Sequence, residues 1–104
     1  MESMIADGLK PEIKKKIIRL CKAIIPSAEI WLYGSRARGD FSDISDIDLA
    51  LDAGVPIDYI LLGELKDILA VANIYHRFDI VDLQSLPESN FKSVIQKEKI
   101  LWQK

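Results

Sequence analysis

Apolar residues recur along this chain with two different spacings, which together predict six secondary-structure elements. Spacings of three and four residues, typical of one face of a helix, occur in the segments 11–25, 56–72 and 87–102. Alternating or short continuous apolar runs, typical of strands, occur in the segments 29–33, 46–52 and 77–83. The order α-β-β-α-β-α predicts an α/β (α+β) fold, in which the helices pack on one face of a small mixed β-sheet.

The predicted second strand is unusual because it carries acidic residues in its interior. Asp46 and Asp48 alternate with Ile47 and Leu49, so both carboxylates would lie on the same face of the strand. Aspartate is depleted in strands, and adjacent carboxylates repel each other unless a cation lies between them. Magnesium is commonly bound by one or two carboxylates together with substrate phosphates. The pair therefore indicates a magnesium site, although a solvent-exposed acidic face would produce the same pattern.

A calcium-binding loop is the competing interpretation of this acidic region. The segment 40–52 is acidic enough for such a loop, but it has no glycine in the middle and no glutamate at its end. Magnesium is therefore favoured over calcium.

A Gly-Ser turn follows the first predicted strand, where Gly34 and Ser35 come directly before Arg36 and, two residues later, Arg38. Glycine lets the backbone turn sharply and approach a ligand. Serine offers a hydroxyl and a backbone N–H to a phosphate oxygen, and arginines make forked hydrogen bonds to phosphate. An ordinary turn with solvated arginines would explain each residue alone. Together with the two carboxylates, the group predicts a site for a metal-bound nucleoside triphosphate.

A third carboxylate is expected on a neighbouring strand, where Asp79 and Asp82 are the candidates. They are three residues apart and therefore face opposite sides of a strand, so at most one of them joins the site. Asp79 lies in mid-strand between apolar residues, whereas Asp82 lies near the strand's end, where caps and solvent contacts are common. Asp79 is therefore favoured, and Asp82 is the alternative.

Composition limits the classes of function. With 104 residues the chain is expected to be a single domain, residues 1–104. Its net charge of −2 argues against direct binding of nucleic acid, and it has no apolar stretch long enough to cross a membrane. The lone cysteine, Cys21, excludes an intrachain disulfide and is typical of the reducing cytoplasm.

The Gly34-Ser35 pair, followed after ten residues by Asp46-x-Asp48, resembles the signature of the DNA polymerase β-like nucleotidyltransferase superfamily. More narrowly, the chain is similar to the minimal nucleotidyltransferases, or MNT proteins. These are small bacterial and archaeal proteins that are typically encoded beside a helical HEPN-type partner. The signature covers residues 32–52, and the chain's size, its helix order and the segment 78–82 extend the resemblance over most of the sequence.

This resemblance implies a role for each residue of the pattern. Gly34 and Ser35 would hold the terminal phosphates of the nucleotide, which is ATP. Asp46 and Asp48 would hold two magnesium ions. Asp79 would complete the triad, bind the metal beside the incoming hydroxyl and help to deprotonate it. Two metal ions of this kind stabilise the attacking and leaving oxygens of an in-line displacement.

The implied reaction is the transfer of AMP from ATP to a hydroxyl group of a HEPN-type partner protein. The chain would then be the antitoxin of a toxin–antitoxin pair and would form a hetero-oligomer with its partner. Two alternatives stay open: an antitoxin that neutralises its partner by binding alone, and the catalytic subunit of a two-component transferase for a small hydroxylated substrate. Because larger family members carry extra acceptor-binding domains, the acceptor site is expected to come from a partner or a second copy.

Overall fold

The computed structural model describes residues 7–72 and 74–104. The helices within this part of the chain are α1 (Pro11–Ile24), α2 (Ser35–Arg38), α3 (Tyr59–Val71) and α4 (Asn90–Glu98). The strands are β1 (Glu29–Tyr33), β2 (Ile47–Asp52), β3 (Phe78–Asp82) and β4 (Ile100–Gln103). A 3-10 turn, Leu83–Ser85, follows β3. None of these helices has the length and apolar character needed to cross a membrane.

The strands form one mixed sheet in the order β3-β2-β1-β4. β1 is antiparallel to both of its neighbours, β2 and β4, whereas β2 and β3 are parallel. The parallel pair requires a crossover connection, and α3 supplies it. The predicted mixed sheet with packed helices is therefore confirmed, and the two strands that flank the predicted site, β1 and β2, lie at its centre.

The two faces of the sheet are covered by different helices. On one face, Ile30 and Leu32 of β1 pack into the main core together with residues of α1 and α3. On the other face, Tyr33 and Ala50 pack with Ile95 of α4. The expected packing of helices on one face therefore holds for α1 and α3, but α4 lies on the opposite face. This separation leaves one end of the α4 face free to form a cleft.

The C-terminal region departs from the helix expected over 87–102. α4 ends at Glu98, and the following residues form β4, which pairs with β1. The side chain of Trp102 accounts for the difference, because it is 8% exposed and packs in the main core with Lys14 above its ring. A short apolar run fits a helix or a strand equally well by spacing alone.

α3 begins at Tyr59 rather than at residue 56. Asp58 is its N-cap and accepts a hydrogen bond from the N–H of Ile60. The preceding N–H, of Ile57, donates to Asp82 on β3. The start of the helix is thus set by two aspartates rather than by the proline before them.

Candidate active site

The chain turns sharply at Gly34, the first residue after β1. Gly34 has a φ of 78°, a backbone conformation that residues with side chains rarely adopt. It also lies against Asp48 of β2, where a Cβ atom on residue 34 would overlap the Asp48 carboxylate. The turn leads directly into α2, whose first residue is Ser35. Glycine is therefore required here both by the backbone and by the approach of Asp48.

Asp48 and Asp79 are brought together by strand pairing. Tyr33 pairs with Asp48, and Asp48 pairs with Asp79, so the three side chains form a row across β1, β2 and β3. The row borders a cleft of about 350 Å³. The cleft is lined by Tyr33, Gly34, Ser35, Arg38, Asp48, Asp79, Phe91, Val94, Ile95 and Glu98. It thus contains most of the residues singled out in the sequence, namely Gly34, Ser35, Arg38, Asp48 and Asp79.

The carboxylate of Asp48 is half-buried among other negative charges. Burial is the main reason why its pKa is raised to about 6, and the charges of Asp79 and Asp46 raise it further. The guanidinium of Arg38 acts in the opposite direction. A cation entering the cleft would relieve the repulsion, which is the behaviour expected at a cation site.

The side chains present suit a hard divalent cation, because carboxylate oxygens are the protein ligands that magnesium prefers. They do not form a complete coordination site. Among residues 7–72 and 74–104, no group of three or more His, Cys, Asp or Glu side chains is positioned to hold a metal ion. Asp46 is not part of the cleft lining, and its carboxylate lies 3.7 Å from the guanidinium of Arg77. Asp48 and Asp79 therefore lie together in the cleft, whereas Asp46 lies beside Arg77.

Tyr33 orients the carboxylate of Asp79. Its phenol O–H donates to Asp79 Oδ2 at 2.8 Å, and its ring packs edge-on against Phe91 of α4. Burial, followed by the hydrogen bond to Asp79, raises the pKa of Tyr33 far above its ordinary value, so the phenol stays protonated and keeps donating. The sequence alone indicates no chemistry for Tyr33, and the only signal is its position directly before the Gly-Ser turn.

Glu98 reaches the Gly34 turn from the last residue of α4. Its Oε1 accepts a hydrogen bond from the N–H of Gly34 at 2.9 Å. Its Oε2 lies 3.2 Å from Arg38 Nη1, and Arg38 Nε lies 3.2 Å from Asp40 Oδ2. The hydrogen bonds to Asp40 and then to Glu98 raise the pKa of Arg38. Arg38 therefore lies at the cleft, as expected of a phosphate ligand, but its guanidinium already forms ion pairs with the carboxylates of Asp40 and Glu98.

Arg36 does not reach the cleft, contrary to the prediction that it binds the nucleotide. Its side chain is 2% exposed, and its guanidinium lies over the ring of Phe41. The guanidinium donates to the backbone carbonyls of Asp7, Ser42, Asp43 and Ser45. The guanidinium of Arg36 therefore holds the loop between α2 and β2, and its N–H groups donate to backbone carbonyls rather than to a phosphate.

Asp82, the alternative third carboxylate, lies on the opposite face of β3 from Asp79. Its side chain is buried at 6% exposure. The carboxylate accepts hydrogen bonds from the N–H groups of Ile57 and Gln84 and from the hydroxyl of Ser85. These contacts tie the start of α3 to the turn after β3. The structure thus brings Asp79 to the cleft and leaves Asp82 in a structural position.

A second cavity, of about 390 Å³, adjoins Asp79 at the free edge of β3. It is lined by Lys66, Ala70, His76, Arg77, Phe78, Asp79 and Ile80. Asp79 lines both cavities. The carboxylate of Asp79 itself lies on the Tyr33 side, in the first cleft.

The family model described as Polymerase beta, Nucleotidyltransferase matches residues 15–104. The chain belongs to this family. The matched range includes every residue that lines the cleft. The expected nucleotidyltransferase class and the polymerase β-like fold are thereby confirmed, so the cleft is the candidate active site of a nucleotidyltransferase.

Two similar proteins of this family are MntA adenylyltransferases. The probable protein adenylyltransferase MntA of Haemophilus influenzae is 28% identical over 103 residues, which cover 99% of this chain and 90% of that protein. The protein adenylyltransferase MntA of Shewanella oneidensis is 37% identical over 90 residues, which cover 86% of this chain and 64% of that protein. The resemblance to the minimal nucleotidyltransferases is therefore confirmed.

Solved toxin–antitoxin complexes contain chains with the same fold. A chain of a toxin–antitoxin complex with AMP-PNP matches with a TM-score of 0.71 and 32% identity, over 86% of this chain and 71% of that one. A chain of the complex between tri-AMPylated Shewanella oneidensis HEPN toxin and MNT antitoxin matches with a TM-score of 0.65 and 30% identity, over 86% of this chain and 67% of that one.

Proposed function

We propose that this chain transfers AMP from ATP to a hydroxyl group of a HEPN-type partner protein and acts as the antitoxin of that pair. The observation that carries the proposal is the row of Tyr33, Asp48 and Asp79 beside the Gly34 turn. Two further facts support it. Similar proteins are protein adenylyltransferases, and one similar chain comes from a complex with an AMPylated HEPN toxin.

In this proposal the Gly34 turn holds the terminal phosphates of ATP. Gly34 has no side chain that would keep a phosphate at a distance. Ser35 offers its hydroxyl and its backbone N–H, and Arg38 adds positive charge at the rim of the cleft. These are the groups that phosphate oxygens need, and all three residues belong to the turn or to α2.

Asp48 and Asp79 are the proposed ligands of magnesium, and Asp46 joins them after leaving Arg77. Magnesium bound there would supply positive charge to the phosphate oxygens and to the departing pyrophosphate. The raised pKa of Asp48 supports this assignment, because burial and then the charges of Asp79 and Asp46 disfavour the ionised carboxylate, and a bound cation would offset both effects.

Asp79 is the proposed acceptor of the hydroxyl proton. Because it is exposed at the cleft, beside Asp48, an acceptor hydroxyl that enters the cleft from solvent can reach it while ATP is held at the Gly34 turn. The acceptor oxygen then forms a bond to the α-phosphorus of ATP. The α–β phosphoanhydride bond breaks, and pyrophosphate leaves.

Label transfer tests the proposal. The chain is purified with a co-expressed HEPN-type partner and incubated with magnesium and ATP labelled on either the α- or the γ-phosphate. The Asp79→Asn variant is the inactive form, and Asp67→Asn, which changes an exposed acid on α3, is the matched control. Label from the α-position alone should appear on the partner, with wild-type chain and with Asp67→Asn but not with Asp79→Asn.

Other outcomes separate the remaining functions. An intact complex without label transfer would contradict catalysis and favour neutralisation by binding alone. Label on an added small hydroxylated compound, but not on the partner protein, would favour a two-component transferase.

A further inference from the structure

Glu98 places a negative charge inside the cleft, at the donors that the Gly34 turn presents. Its Oε1 accepts from the N–H of Gly34 at 2.9 Å. Both of its carboxylate oxygens lie within 3.3 Å of Arg38 Nη1. The side chain is only 15% exposed, so the carboxylate lies within the cleft rather than in solvent. One backbone donor and one guanidinium of the cleft thus already hold an anion that belongs to the chain itself.

We propose that Glu98 occupies the position of a nucleotide phosphate and moves aside when ATP binds. The inference rests on the proposed function, because it takes Gly34 and Arg38 as phosphate ligands. Carboxylate and phosphate oxygens accept hydrogen bonds from the same donors. Two anions on one N–H and one guanidinium repel each other, so Glu98 lowers the affinity of the cleft for ATP.

Backbone contacts argue against the simpler view that Glu98 only supports the turn. The N–H groups of Ala37 and Arg38 both donate to the carbonyl of Gly34, at 3.1 and 3.0 Å. β1 is paired with β2 up to the residue before Gly34. The turn is therefore held from both sides by hydrogen bonds that do not involve Glu98.

The position of Glu98 also allows its side chain to leave without a change of fold. Glu98 is the last residue of α4, and β4 begins two residues later. The residue between them, Lys99, is held by its ammonium group, which lies 4.1 Å from the ring centre of Trp31. A change of side-chain rotamer at Glu98 is therefore enough to free the N–H of Gly34, while α4 and β4 stay in place.

Calorimetric titration with ATP in the presence of magnesium tests the inference on the whole chain. The Glu98→Gln variant keeps the shape of the side chain and removes its charge, and Glu98→Ala vacates the position. Asp40→Asn is the matched control, because Asp40 is the other carboxylate on Arg38, whereas the N–H of Gly34 donates to Glu98. Adenosine, which has no phosphate, is titrated in parallel.

Both Glu98 variants should bind ATP about tenfold more tightly than the wild type, the size expected for removal of one competing charged hydrogen bond. Adenosine affinity should not change, and Asp40→Asn should change ATP affinity less than about twofold. Unchanged or weaker ATP binding by Glu98→Gln at an unchanged melting temperature would overturn the inference. An equal increase in ATP affinity in Asp40→Asn would also overturn it, since the effect would then follow from removing any negative charge near Arg38.

The label-transfer experiment distinguishes this inference from the proposed function. Tighter ATP binding by Glu98→Gln without AMP transfer would support the role of Glu98 and contradict the transferase. AMP transfer without a change in ATP affinity would contradict the role of Glu98 alone. A wild type and a Glu98→Gln variant that both fail to bind ATP would contradict both.

Discussion

Gly34 packs its bare α-carbon directly against the carboxylate of Asp48. The contact is made at the point where β1 ends, one residue after Tyr33 pairs with Asp48. The turn that is proposed to hold phosphate and the carboxylate that is proposed to hold magnesium are therefore parts of one packed contact. A change on either side of this contact is expected to move the other.

Replacing Gly34 with alanine tests that contact. Gly34→Ala should destabilise the fold by about 1–3 kcal/mol, because its φ of 78° is strained for alanine and its Cβ overlaps Asp48. It should also abolish measurable ATP binding. Gly54→Ala is the matched control, since Gly54 has a φ of 80° and open space around it. Thermal unfolding and ATP titration of both variants measure the difference, and equal ATP affinities would contradict the assigned contact.

The pKa of Asp48 predicts how stability depends on pH. Its value of about 6 in the folded chain lies above the ordinary value of 3.8, so the native state binds more protons than the unfolded state between these two values. Stability should therefore fall as pH rises through this window. Asp48→Asn should remove the fall and stabilise the free chain at about pH 8, by on the order of 1 kcal/mol once solvent screening is allowed for.

Melting temperatures between about pH 4 and pH 8 measure this effect for the wild type, Asp48→Asn and the control Asp67→Asn. The curve of Asp48→Asn should separate from the other two above about pH 5. Parallel curves for all three proteins would show that Asp48 titrates normally. Loss of AMP transfer in the more stable Asp48→Asn variant would show that the raised pKa belongs to a functional group.

Magnesium should act through the same carboxylates. Addition of magnesium chloride at about pH 8 should raise the melting temperature of the wild type, because binding to the folded state stabilises it. The double variant Asp48→Asn, Asp79→Asn should show a much smaller rise. An equal rise in both proteins would place the cation elsewhere.

Asp79 and Asp82 should respond differently to the same substitution. Asp82→Asn should destabilise the fold by about 1–3 kcal/mol, because the buried carboxylate accepts hydrogen bonds from two backbone N–H groups and a hydroxyl. Asp79→Asn should leave the melting temperature nearly unchanged and abolish AMP transfer. The two variants are compared by thermal unfolding and by label transfer at a temperature where both are folded. Full activity of Asp79→Asn would assign the proton acceptor to another group.

Arg36 and Arg38 should also separate into a structural and a binding residue. Arg36→Lys should destabilise the fold by about 2–3 kcal/mol, because an ammonium group cannot reach the same set of carbonyls as a guanidinium. Arg38→Lys should change stability by less than about 0.5 kcal/mol and weaken ATP binding. Chemical denaturation and calorimetric titration give the two quantities, and a loss of ATP affinity in folded Arg36→Lys would contradict its assignment.

Much of the site could be predicted because strand periodicity is a local property. The alternation around Asp46 and Asp48 predicts a strand with an acidic face, and β2 carries Asp48 on that face. Asp46, however, precedes the strand, which begins at Ile47, and lies beside Arg77 instead of in the cleft. The spacing of Asp79 and Asp82 predicts opposite faces, which the structure confirms for β3. Side-chain direction in a strand follows from the backbone, so a correct strand prediction also assigns each residue to a face.

The remaining features depend on contacts between distant parts of the chain. Glu98 meets Gly34 across a separation of 64 residues, and no local pattern encodes that contact. Trp102 is buried as part of a strand rather than a helix. Its segment forms β4, which pairs with the edge of β1 that β2 does not occupy. Arg36 is predicted to bind phosphate because the sequence does not distinguish an exposed arginine from a buried one. Only the folded loop between α2 and β2, which encloses the side chain, makes that difference.

The burial of Arg36 limits how the chain can vary in evolution. Surface loops usually accept insertions and deletions because their backbone groups are satisfied by water. In the loop between α2 and β2, the carbonyls of Ser42, Asp43 and Ser45 are instead oriented toward one guanidinium. A change of loop length would withdraw some of these carbonyls and leave a buried charge without partners. The ten residues between Ser35 and Asp46 are therefore a length that the fold itself selects, independently of any ligand.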